Sequence, residues 1–404
     1  MTVIPVDVAV IGDGPAGTAL AQACVRRGGS VALIGEDRPW TATYATWVDD
    51  LPPDLVGRPA DVLDVISERV RVQASRTHLV DRAYGVIDNE ALRRILRDGV
   101  DHIAGRVTAV SAIDPGKRHV VTTDDGQEFT ARFVVDATGW PPGFAASIAA
   151  EPRAWQTAFG VVLPGPPTGA LGVPTLMDFS APVRSPWPRG REDHWTARVT
   201  TFCYSLPVHD GWLVEETVLA ATTPIAPDDL APRLAARLGW SPDELLRNAS
   251  RTESVRIPMG VPLPARRGDV IAFGAAAGYI HPATGFSVAA SLRAASRVAA
   301  ALLAADANSA SISDAVWPRA HRRTRILHDQ GLDVLLRLNP DEVAAFFDAF
   351  FDLPPARWSA YLRIDTEPTQ VAAAMTEVFR SASWPLRRRM MQGAPLALAR
   401  LLRP

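Results

Sequence analysis

Three glycines near the start of the chain have the spacing of a nucleotide-binding turn. Gly12, Gly14 and Gly17 form the pattern G-x-G-x-x-G after an apolar run, and a helix-forming segment follows. The first glycine permits the tight turn, the second lets a pyrophosphate approach the backbone, and the third allows close packing of helix on strand. The helix N-terminus favours phosphate charge, and Glu36, after the next apolar run, is placed to accept hydrogen bonds from ribose hydroxyls. The predicted nucleotide contacts are Gly12, Gly14, Pro15, Ala16, Gly17 and Glu36.

Two later glycine-containing segments favour FAD over NAD as the nucleotide. Residues 134–139 (VVDATG) resemble the second nucleotide-contacting strand of the flavin-dependent hydroxylase-like fold, and residues 274–285 resemble the third. Each segment alone is equally compatible with a core strand and a glycine turn, but a nicotinamide dehydrogenase needs neither. Their order after the first motif therefore predicts an FAD site. The further predicted contacts are Asp136, Thr138, Gly139, Gly274, Gly278, Thr284 and Gly285.

The hydrophobic pattern predicts the elements that hold these motifs. Continuous β-branched runs are typical of strands buried on both faces, and a helix is expected to end at the pair Gly28-Gly29. Residues 40–59 are rich in Pro, Asp and Trp, which predicts an irregular segment. The predicted elements are strands over 6–11, 30–34, 133–135, 197–206, 211–219 and 269–273, helices over 16–27 and 88–98, and a hairpin turn at 124–126.

Together these elements predict an α/β protein with a doubly wound FAD-binding domain of the glutathione-reductase type, in its hydroxylase-like branch. Short alternating strands predict an antiparallel substrate lobe, and the chain after Phe286 is predicted to be helical. The predicted boundaries are 1–140 for the first part of the FAD domain, 141–264 for the substrate lobe, 265–300 for the second part of the FAD domain and 301–404 for the helical C-terminal region.

Composition excludes several classes of function. The 404 residues carry a formal net charge of -2, which gives no reason to expect a nucleic-acid partner. Cys24 and Cys203 are the only cysteines, without metal-ligand spacing, so we expect no metal site and a reducing, cytoplasmic compartment. The N-terminus lacks the basic region of a signal peptide, and no apolar run is long enough to predict a transmembrane helix.

Short blocks along nearly the whole chain resemble the plant-type lycopene β-cyclase family. Among them LVEET resembles the family's FLEET motif, and IPMGVPLP resembles IPMGGPLP. The sequence departs from the family at Ala42 and Thr43, where WPNN is expected, at Ala45 in place of glycine, and at Val261 in place of a second glycine. The matching blocks are 44–50 (YATWVDD), 154–160 (AWQTAFG), 176–179 (LMDF), 202–207 (FCYSLP), 213–217 (LVEET), 257–264 (IPMGVPLP), 277–285 (AGYIHPATG) and 346–353 (FFDAFFDL).

The resemblance implies a redox-neutral cyclisation of a linear isoprenoid or polyene, supported by reduced FAD. In that reaction an acid protonates a terminal C=C bond, a neighbouring alkene attacks the cation, and a base removes a ring proton. NAD(P)H as a transient reductant, or a flavin-reducing partner, would keep the flavin reduced. The departures at Ala42, Thr43, Ala45 and Val261 leave open a branch of the family that cyclises a different polyene.

A buried glutamate is the side chain best suited to protonate an alkene, because an apolar cavity raises its pKa. Glu215 aligns with the catalytic glutamate of the family motif and is the predicted acid. Glu216 is the next residue along a predicted strand, where side chains alternate, so both cannot face one pocket. Glu216 is therefore expected to orient its neighbours from the other face, while exposed strand positions are the alternative for either glutamate.

Three further segments supply candidate site residues. Trp47 is a predicted cofactor contact in the segment expected near the flavin, and Asp49 and Asp50, which follow it, either position the cofactor or form a solvated pair. His281, before Pro282, is a candidate hydrogen-bond donor in the pocket, and a structural histidine is the alternative. The aromatic residues Trp155, Phe159 and Tyr204 either line the substrate channel or pack in the core.

An FAD-dependent monooxygenase or halogenase on the same scaffold is the alternative enzyme class. Hydroxylases usually carry GDAAH where residues 274–278 read GAAAG, and Asp125-Gly126 is better explained as a hairpin turn than as their DG motif. Halogenases of this fold use W-x-W-x-I-P and a catalytic lysine, whereas Lys117 lies beside a predicted turn. A flavin-binding scaffold without a working acid is a third class.

The C-terminal residues 380–404 contain six arginines, no acidic residue and interleaved apolar residues. A basic amphipathic helix of this kind suits the surface of an anionic bilayer. Peripheral docking on the inner face of a membrane would give the pocket access to a lipid-dissolved substrate. The alternative is a terminal helix that packs on its own domain.

Overall fold

The computed structural model describes residues 4–114, 118–146, 151–182, 199–266 and 268–392. The strands within these ranges are β1 (Ile4–Ile11), β2 (Val31–Gly35), β3 (Ala45–Trp47), β4 (Leu63–Ser67), β5 (Val70–Gln73), β6 (Thr77–Val80), β7 (Tyr84–Ile87), β8 (His102–Ala104), β9 (Val107–Asp114), β10 (Arg118–Thr123), β11 (Glu128–Asp136), β12 (Ala154–Leu163), β13 (Thr175–Asp178), β14 (Thr201–Val208), β15 (Gly211–Val218), β16 (Arg251–Met259) and β17 (Val270–Ala272).

The helices alternate with strands in the N-terminal half and follow one another after β17. The α-helices within the described ranges are α1 (Pro15–Val25), α2 (Pro53–Val56), α3 (Asn89–Arg97), α4 (Pro227–Leu238), α5 (Pro242–Asn248), α6 (Val288–Leu302), α7 (Ser309–Val316), α8 (Arg319–Leu335), α9 (Pro340–Phe351), α10 (Pro355–Tyr361), α11 (Pro368–Ser381) and α12 (Trp384–Met391). Short 3₁₀ turns occupy Val48–Asp50, Pro59–Asp61, Gly169–Gly172 and Gly274–Ala277.

The first sheet brings the three predicted nucleotide segments to one edge. Its order is β8-β2-β1-β11-β10-β9, with β17 beside β11, and the strands β8, β2, β1, β11 and β17 are parallel. Ile11 is in register with both Ile34 and Asp136, and Asp136 with Ala272. The carboxyl ends of four strands therefore coincide, where open α/β sheets bind ligands. This arrangement and the helical C-terminal region confirm the predicted fold class.

The turn between β1 and α1 depends on two close contacts. Gly12 has φ +104°, and a Cβ atom there would lie 2.6 Å from the carbonyl oxygen of Ala137. A Cβ atom on Gly17 would lie 1.9 Å from the carbonyl oxygen of Gly12. The hydroxyl of Thr18 donates to the carbonyl oxygens of Asp13 and Gly14. The first helical turn thus packs directly on the strand end, as the motif predicts.

The second sheet forms the predicted antiparallel lobe, with the order β16-β12-β15-β14-β13-β5-β6. Strands β5 and β6 belong to the segment 1–140 of the predicted division, yet they extend this sheet because β5 pairs in parallel with β13. The predicted strand over 197–206 begins at Thr201, and its first two residues lie outside the described ranges. Helix α4 packs on β12 and β15 and covers one face.

The segment 40–59 is more ordered than predicted. Residues Ala45–Trp47 form β3, which pairs with β7 in a three-stranded sheet with β4. The expectation of an irregular segment is therefore wrong over these residues. Trp47 is fully buried and its ring contacts Tyr84 and Trp358 at centroid distances of 4.8 and 5.4 Å. These partners are distant in sequence, so local composition did not reveal them.

The described part of the basic C-terminal tail is helical, with one break. Helix α11 ends at Ser381, Ala382 and Ser383 are extended, and α12 begins at Trp384. Pro385 explains the break, because proline is tolerated in a first turn but not inside a helix. Residues 393–404 of the predicted tail lie outside the described ranges. None of the helices in the described ranges combines the length and apolar character that crossing a membrane requires.

The two motif glycines Gly14 and Gly17 provide a matched test of this packing. We expect Gly17→Ala to lower the free energy of unfolding of the cofactor-free protein by about 1–3 kcal/mol, since its methyl group would overlap the Gly12 carbonyl. Gly14→Ala should change it by no more than about 0.5 kcal/mol, because Gly14 has φ −71° and a Cβ there meets no atom within 4 Å. Denaturant unfolding measures the free energy of unfolding of both variants. Equal values for Gly17→Ala and Gly14→Ala would contradict the close contact between Gly17 and the Gly12 carbonyl.

Candidate functional site

A single cavity of about 1180 Å³ joins the edge of the first sheet to one face of the second. One end is lined by the glycine turn and the other by strands β12, β14, β15 and β16 and helix α9. The predicted nucleotide segments and the predicted acid thus line one continuous cavity, although about 200 residues of sequence separate them.

Most of the predicted cofactor contacts lie on the cavity wall. Gly14 faces open space, because a Cβ atom there would meet nothing within 4 Å, so a ligand can reach its backbone closely. Glu36 lines the same end at the close of β2, and its side chain is 46% exposed and paired with Arg38. The predicted contacts on the wall are Gly12, Gly14, Pro15, Ala16, Glu36, Thr138, Gly139, Thr284 and Gly285.

The remaining predicted contacts lie behind the wall and shape it. Asp136 is fully buried and accepts hydrogen bonds from the hydroxyl and N–H of Thr138 and from the N–H groups of Phe144 and Ala145. It therefore fixes the loop that presents Thr138 and Gly139 to the cavity. Gly17 provides the close helix contact described above.

Two glycines of the third segment have left-handed backbone conformations. Gly274 has φ +64°, and a Cβ atom there would lie 2.5 Å from the Cβ of Ala16, so this glycine lets the third segment touch α1. Gly278 has φ +77° and ends the 3₁₀ turn that begins at Gly274. Both glycines are positioned to support the wall rather than to form it.

Glu215 lies on the cavity face of β15. Its Oε1 accepts a hydrogen bond of 2.7 Å from the hydroxyl of Thr217. Burial raises the pKa of Glu215 to about 7, the nearby Glu253 carboxyl adds to the rise, and the Thr217 hydrogen bond opposes it. A carboxyl with this pKa is largely protonated in mildly acidic solution and half protonated near pH 7, so it is able to donate a proton inside the cavity.

Glu216 lies on the opposite face of β15, as the alternation along a strand requires. Its carboxylate is fully buried and pairs with Arg233 at 2.8 Å and with Arg237. Arg237 also donates to the carbonyl oxygen of Ser180. The pair of arginines satisfies the Glu216 charge and ties β15 to α4, so Glu216 supports the strand that carries Glu215.

Asp49 and Trp47 lie behind the cavity wall. Asp49 is 65% exposed and accepts a hydrogen bond of 2.8 Å from Nε of Arg82. The Arg82 guanidinium also binds Asp50 at 2.9 Å and lies 4.7 Å from the centre of the Trp47 ring. Trp47 contacts Tyr84, which does line the cavity, so this cluster reaches the site through Tyr84.

His281 is fully buried behind the segment that presents Thr284 and Gly285. The N–H of Ala283 donates to its Nδ1, so its Nε2 carries the proton donated to the carbonyl oxygen of Tyr361 at 3.0 Å. Burial lowers the pKa of His281 to about 4, which keeps the ring neutral. Its hydrogen bonds tie the third nucleotide segment to α10.

Aromatic rings surround the Glu215 end of the cavity. The hydroxyl of Tyr204 donates to that of Tyr84 at 3.3 Å, and both rings are on the wall. Of the three aromatic candidates from the sequence, Tyr204 lines the cavity, whereas Phe159 is buried in the cluster beneath α4 and Trp155 contacts Trp140 and Arg256. Further aromatic residues on the wall are Phe202, Phe286, Phe346, Phe347, Phe350, Phe351 and Tyr361.

Sequence reasoning missed a second carboxyl on the wall, that of Glu253. Its side chain is 9% exposed, and its oxygens accept hydrogen bonds from the N–H of Thr43 at 2.8 Å and the hydroxyl of Thr43 at 2.6 Å. A signal was available, because Glu253, Val255 and Ile257 alternate in β16 and all line the cavity. That alternation places Glu253 on the same face of β16 as Val255 and as Ile257, the first residue of the IPMG block.

Comparison with solved structures identifies the fold. A geranylgeranyl bacteriochlorophyll reductase-like protein from Thermoplasma acidophilum is 13% identical, with a TM-score of 0.65, over 96% of this chain and 100% of that chain. A probable FAD-dependent monooxygenase from Pseudomonas aeruginosa is 15% identical, with a TM-score of 0.55, over 92% of this chain and 100% of that chain. The chain therefore shares the fold of FAD-dependent monooxygenases.

Sequence comparison identifies the family. The family model described as lycopene cyclase protein matches residues 7–387. An uncharacterized carotenoid cyclase of Deinococcus radiodurans is 34% identical, covering 98% of this chain and 94% of its own length. A lycopene beta cyclase of Synechococcus elongatus is 30% identical in an alignment that covers 97% of this chain and 98% of that protein. Because the family model and both relatives extend over most of the chain, this protein belongs to the lycopene cyclase family.

Proposed function

We propose that the protein is an FAD-dependent, redox-neutral cyclase of a linear polyene of the lycopene class. The observation that carries the proposal is the Glu215 carboxyl, whose pKa burial raises to about 7, on the wall of an aromatic cavity that is continuous with the glycine turn. The relatives named lycopene beta cyclases support the substrate class. The reaction class would be that of an isomerase or intramolecular lyase, since no atoms are gained or lost.

The nucleotide end of the cavity fits FAD. Gly14 leaves its backbone open to a pyrophosphate at the N-terminus of α1, and Glu36 is placed to accept hydrogen bonds from a ribose. Thr138, Thr284 and Gly285 also line the cavity, and a Cβ atom at Gly285 would lie 2.8 Å from Oε1 of Gln156 on β12. When bound in its reduced form, the flavin would supply negative charge that is strongly felt in a dry cavity. NAD(P)H acting transiently, or a partner protein, would provide its electrons.

The chain's own residues account for the acid step. Protonated Glu215 donates its proton to a terminal C=C bond, and the neighbouring alkene attacks the cation to close the ring. The faces of Tyr84, Tyr204 and Phe286 can stabilise the positive charge through their ring quadrupoles. The apolar wall excludes water that would otherwise capture the cation. We assign Glu216, Asp49 and His281 to positioning, because each is tied to elements behind the wall.

Anaerobic turnover of lycopene with the dithionite-reduced, FAD-loaded protein tests this proposal. The wild type should give a ring-closed product of unchanged mass, and Glu215→Gln should reduce its rate by about 10²–10⁴-fold, because an amide cannot supply the proton. FAD stoichiometry is the control, since Glu215→Gln should still bind FAD as the wild type does. Product that is heavier by one oxygen in air would favour the monooxygenase class, which the shared fold makes the second candidate.

We also propose that the protein docks peripherally on the cytoplasmic face of a membrane through α12. Leu386 is buried, so α12 packs on the protein, but Trp384 is 68% exposed and Arg388 is exposed beside it. Arg389 pairs with Glu342 of α9, whose phenylalanines line the cavity. The exposed ring and charge would thus lie close to the helix that borders the substrate end.

Vesicle binding tests the docking surface. Arg388→Ser should weaken binding to phosphatidylserine-containing vesicles by roughly fivefold, the effect of about 1 kcal/mol per arginine, and Trp384→Ser should weaken it as well. Leu246→Ser is the matched control, because Leu246 is 54% exposed on α5 and is not part of this surface. Equal vesicle binding by the wild type and all three variants would contradict docking through α12.

A further inference from the structure

Glu215 and Glu253 form a pair across one glycine. Gly160 of β12 is in register with Glu215 of β15 on one side and with Glu253 of β16 on the other. Residues in register on adjacent strands project to the same face of a sheet. Both glutamates line the cavity, so the site contains two carboxyl groups on one face, separated by a residue without a side chain.

The absence of a side chain at Gly160 creates the space between the carboxyls. A Cβ atom at this position would lie 3.3 Å from Cβ and from Cγ of Glu215 and 3.1 Å from Cδ1 of Leu213. The Glu215 side chain therefore leans over the glycine, in the direction of β16. A larger residue at position 160 would separate the two carboxyls and push Glu215 aside.

The surroundings of the two carboxyls differ. Both oxygens of Glu253 accept hydrogen bonds, Oε1 from the main-chain N–H of Thr43 and Oε2 from the Thr43 hydroxyl, and Nη1 of Arg251 lies 3.4 Å from Oε2. Glu215 has one hydroxyl partner, Thr217. Pairs of carboxyls in contrasting environments are the usual arrangement for an acid and a base in one site.

We propose that Glu253 is the base that removes the ring proton after Glu215 has started the cyclisation. This role rests on the proposed function. Glu215 loses its proton to the terminal alkene carbon, and the attack of the second alkene forms the new ring bond and moves the cation into the ring. A C–H bond next to that cation then breaks, its electrons form the new C=C bond, and its proton goes to Glu253. One proton enters and one leaves, so no oxidant or reductant is consumed.

A purely structural role for Glu253 is the competing explanation, because its carboxylate also holds Thr43 and the segment before β3. Two variants separate the roles. Glu253→Gln removes the basic carboxylate, while its amide oxygen can still accept from the Thr43 N–H. Thr43→Val removes the hydroxyl contact but leaves Glu253 as a carboxylate.

The experiment uses the FAD-loaded, dithionite-reduced full chain with lycopene in D₂O. Glu253→Gln should form the wild-type product about 10²–10⁴-fold more slowly, yet recovered substrate should carry deuterium, because Glu215 still protonates the alkene and the cation reverts. Any ring product should carry its double bond at another position. Glu215→Gln should form no ring product and leave no deuterium in the recovered substrate. Thr43→Val should form the product at a rate within about tenfold of the wild type.

Each other outcome overturns a defined part of the account. Wild-type rate and product from Glu253→Gln would exclude it as the base, and so would an equal loss in Glu253→Gln and Thr43→Val. Loss of deuterium uptake in Glu253→Gln would place Glu253 in the protonation step instead. If the wild type itself takes up no deuterium and forms no ring, the proposed function fails, and the role of Glu253 fails with it.

Discussion

The Glu215 carboxyl can remain protonated only because strand β15 holds it on an apolar, aromatic cavity face. The same strand places Glu216 on the other face, where Arg233 and Arg237 satisfy its charge. Two adjacent glutamates thus have opposite tasks, since one is kept short of partners and the other is fully paired. The buried ion pairs tie β15 to α4, and the backbone register of β15 with β12 presents Glu215 opposite Gly160.

The position of the cavity follows from the register of the first sheet. Ile11, Asp136 and Ala272 end their strands at the same level, which brings three loops together. Buried polar residues then set the shape of those loops, as Asp136 does for residues 138–145 and His281 does for the segment before Phe286. The nucleotide end and the acid end are therefore parts of one cavity built by two sheets.

Local signals made much of this predictable from the sequence. The glycine turn, the parallel core strands and the alternation at Glu215 and Glu216 depend on neighbouring residues, and the structure has them as expected for the confirmed fold class.

The placements of Trp47 and His281 depend on Trp358 and Tyr361, which are distant in sequence, so no local pattern could reveal them. The alternation of Glu253 with Val255 and Ile257 was readable in the sequence, but its pairing with Glu215 across Gly160 is a property of the folded sheet. The break between α11 and α12 has a local cause in the sequence, which is Pro385 in the first turn of α12.

The central claim is that Glu215 is a protonated acid in the resting site, and infrared titration of that carboxyl tests it most directly. The wild-type minus Glu215→Gln difference spectrum of the FAD-loaded protein isolates its C=O band. The account predicts a protonated carboxyl band that is present in acid and disappears with a midpoint near the pKa of about 7. A Glu215 that is already ionised well below that pH, at the ordinary pKa of an exposed glutamate, would contradict the account.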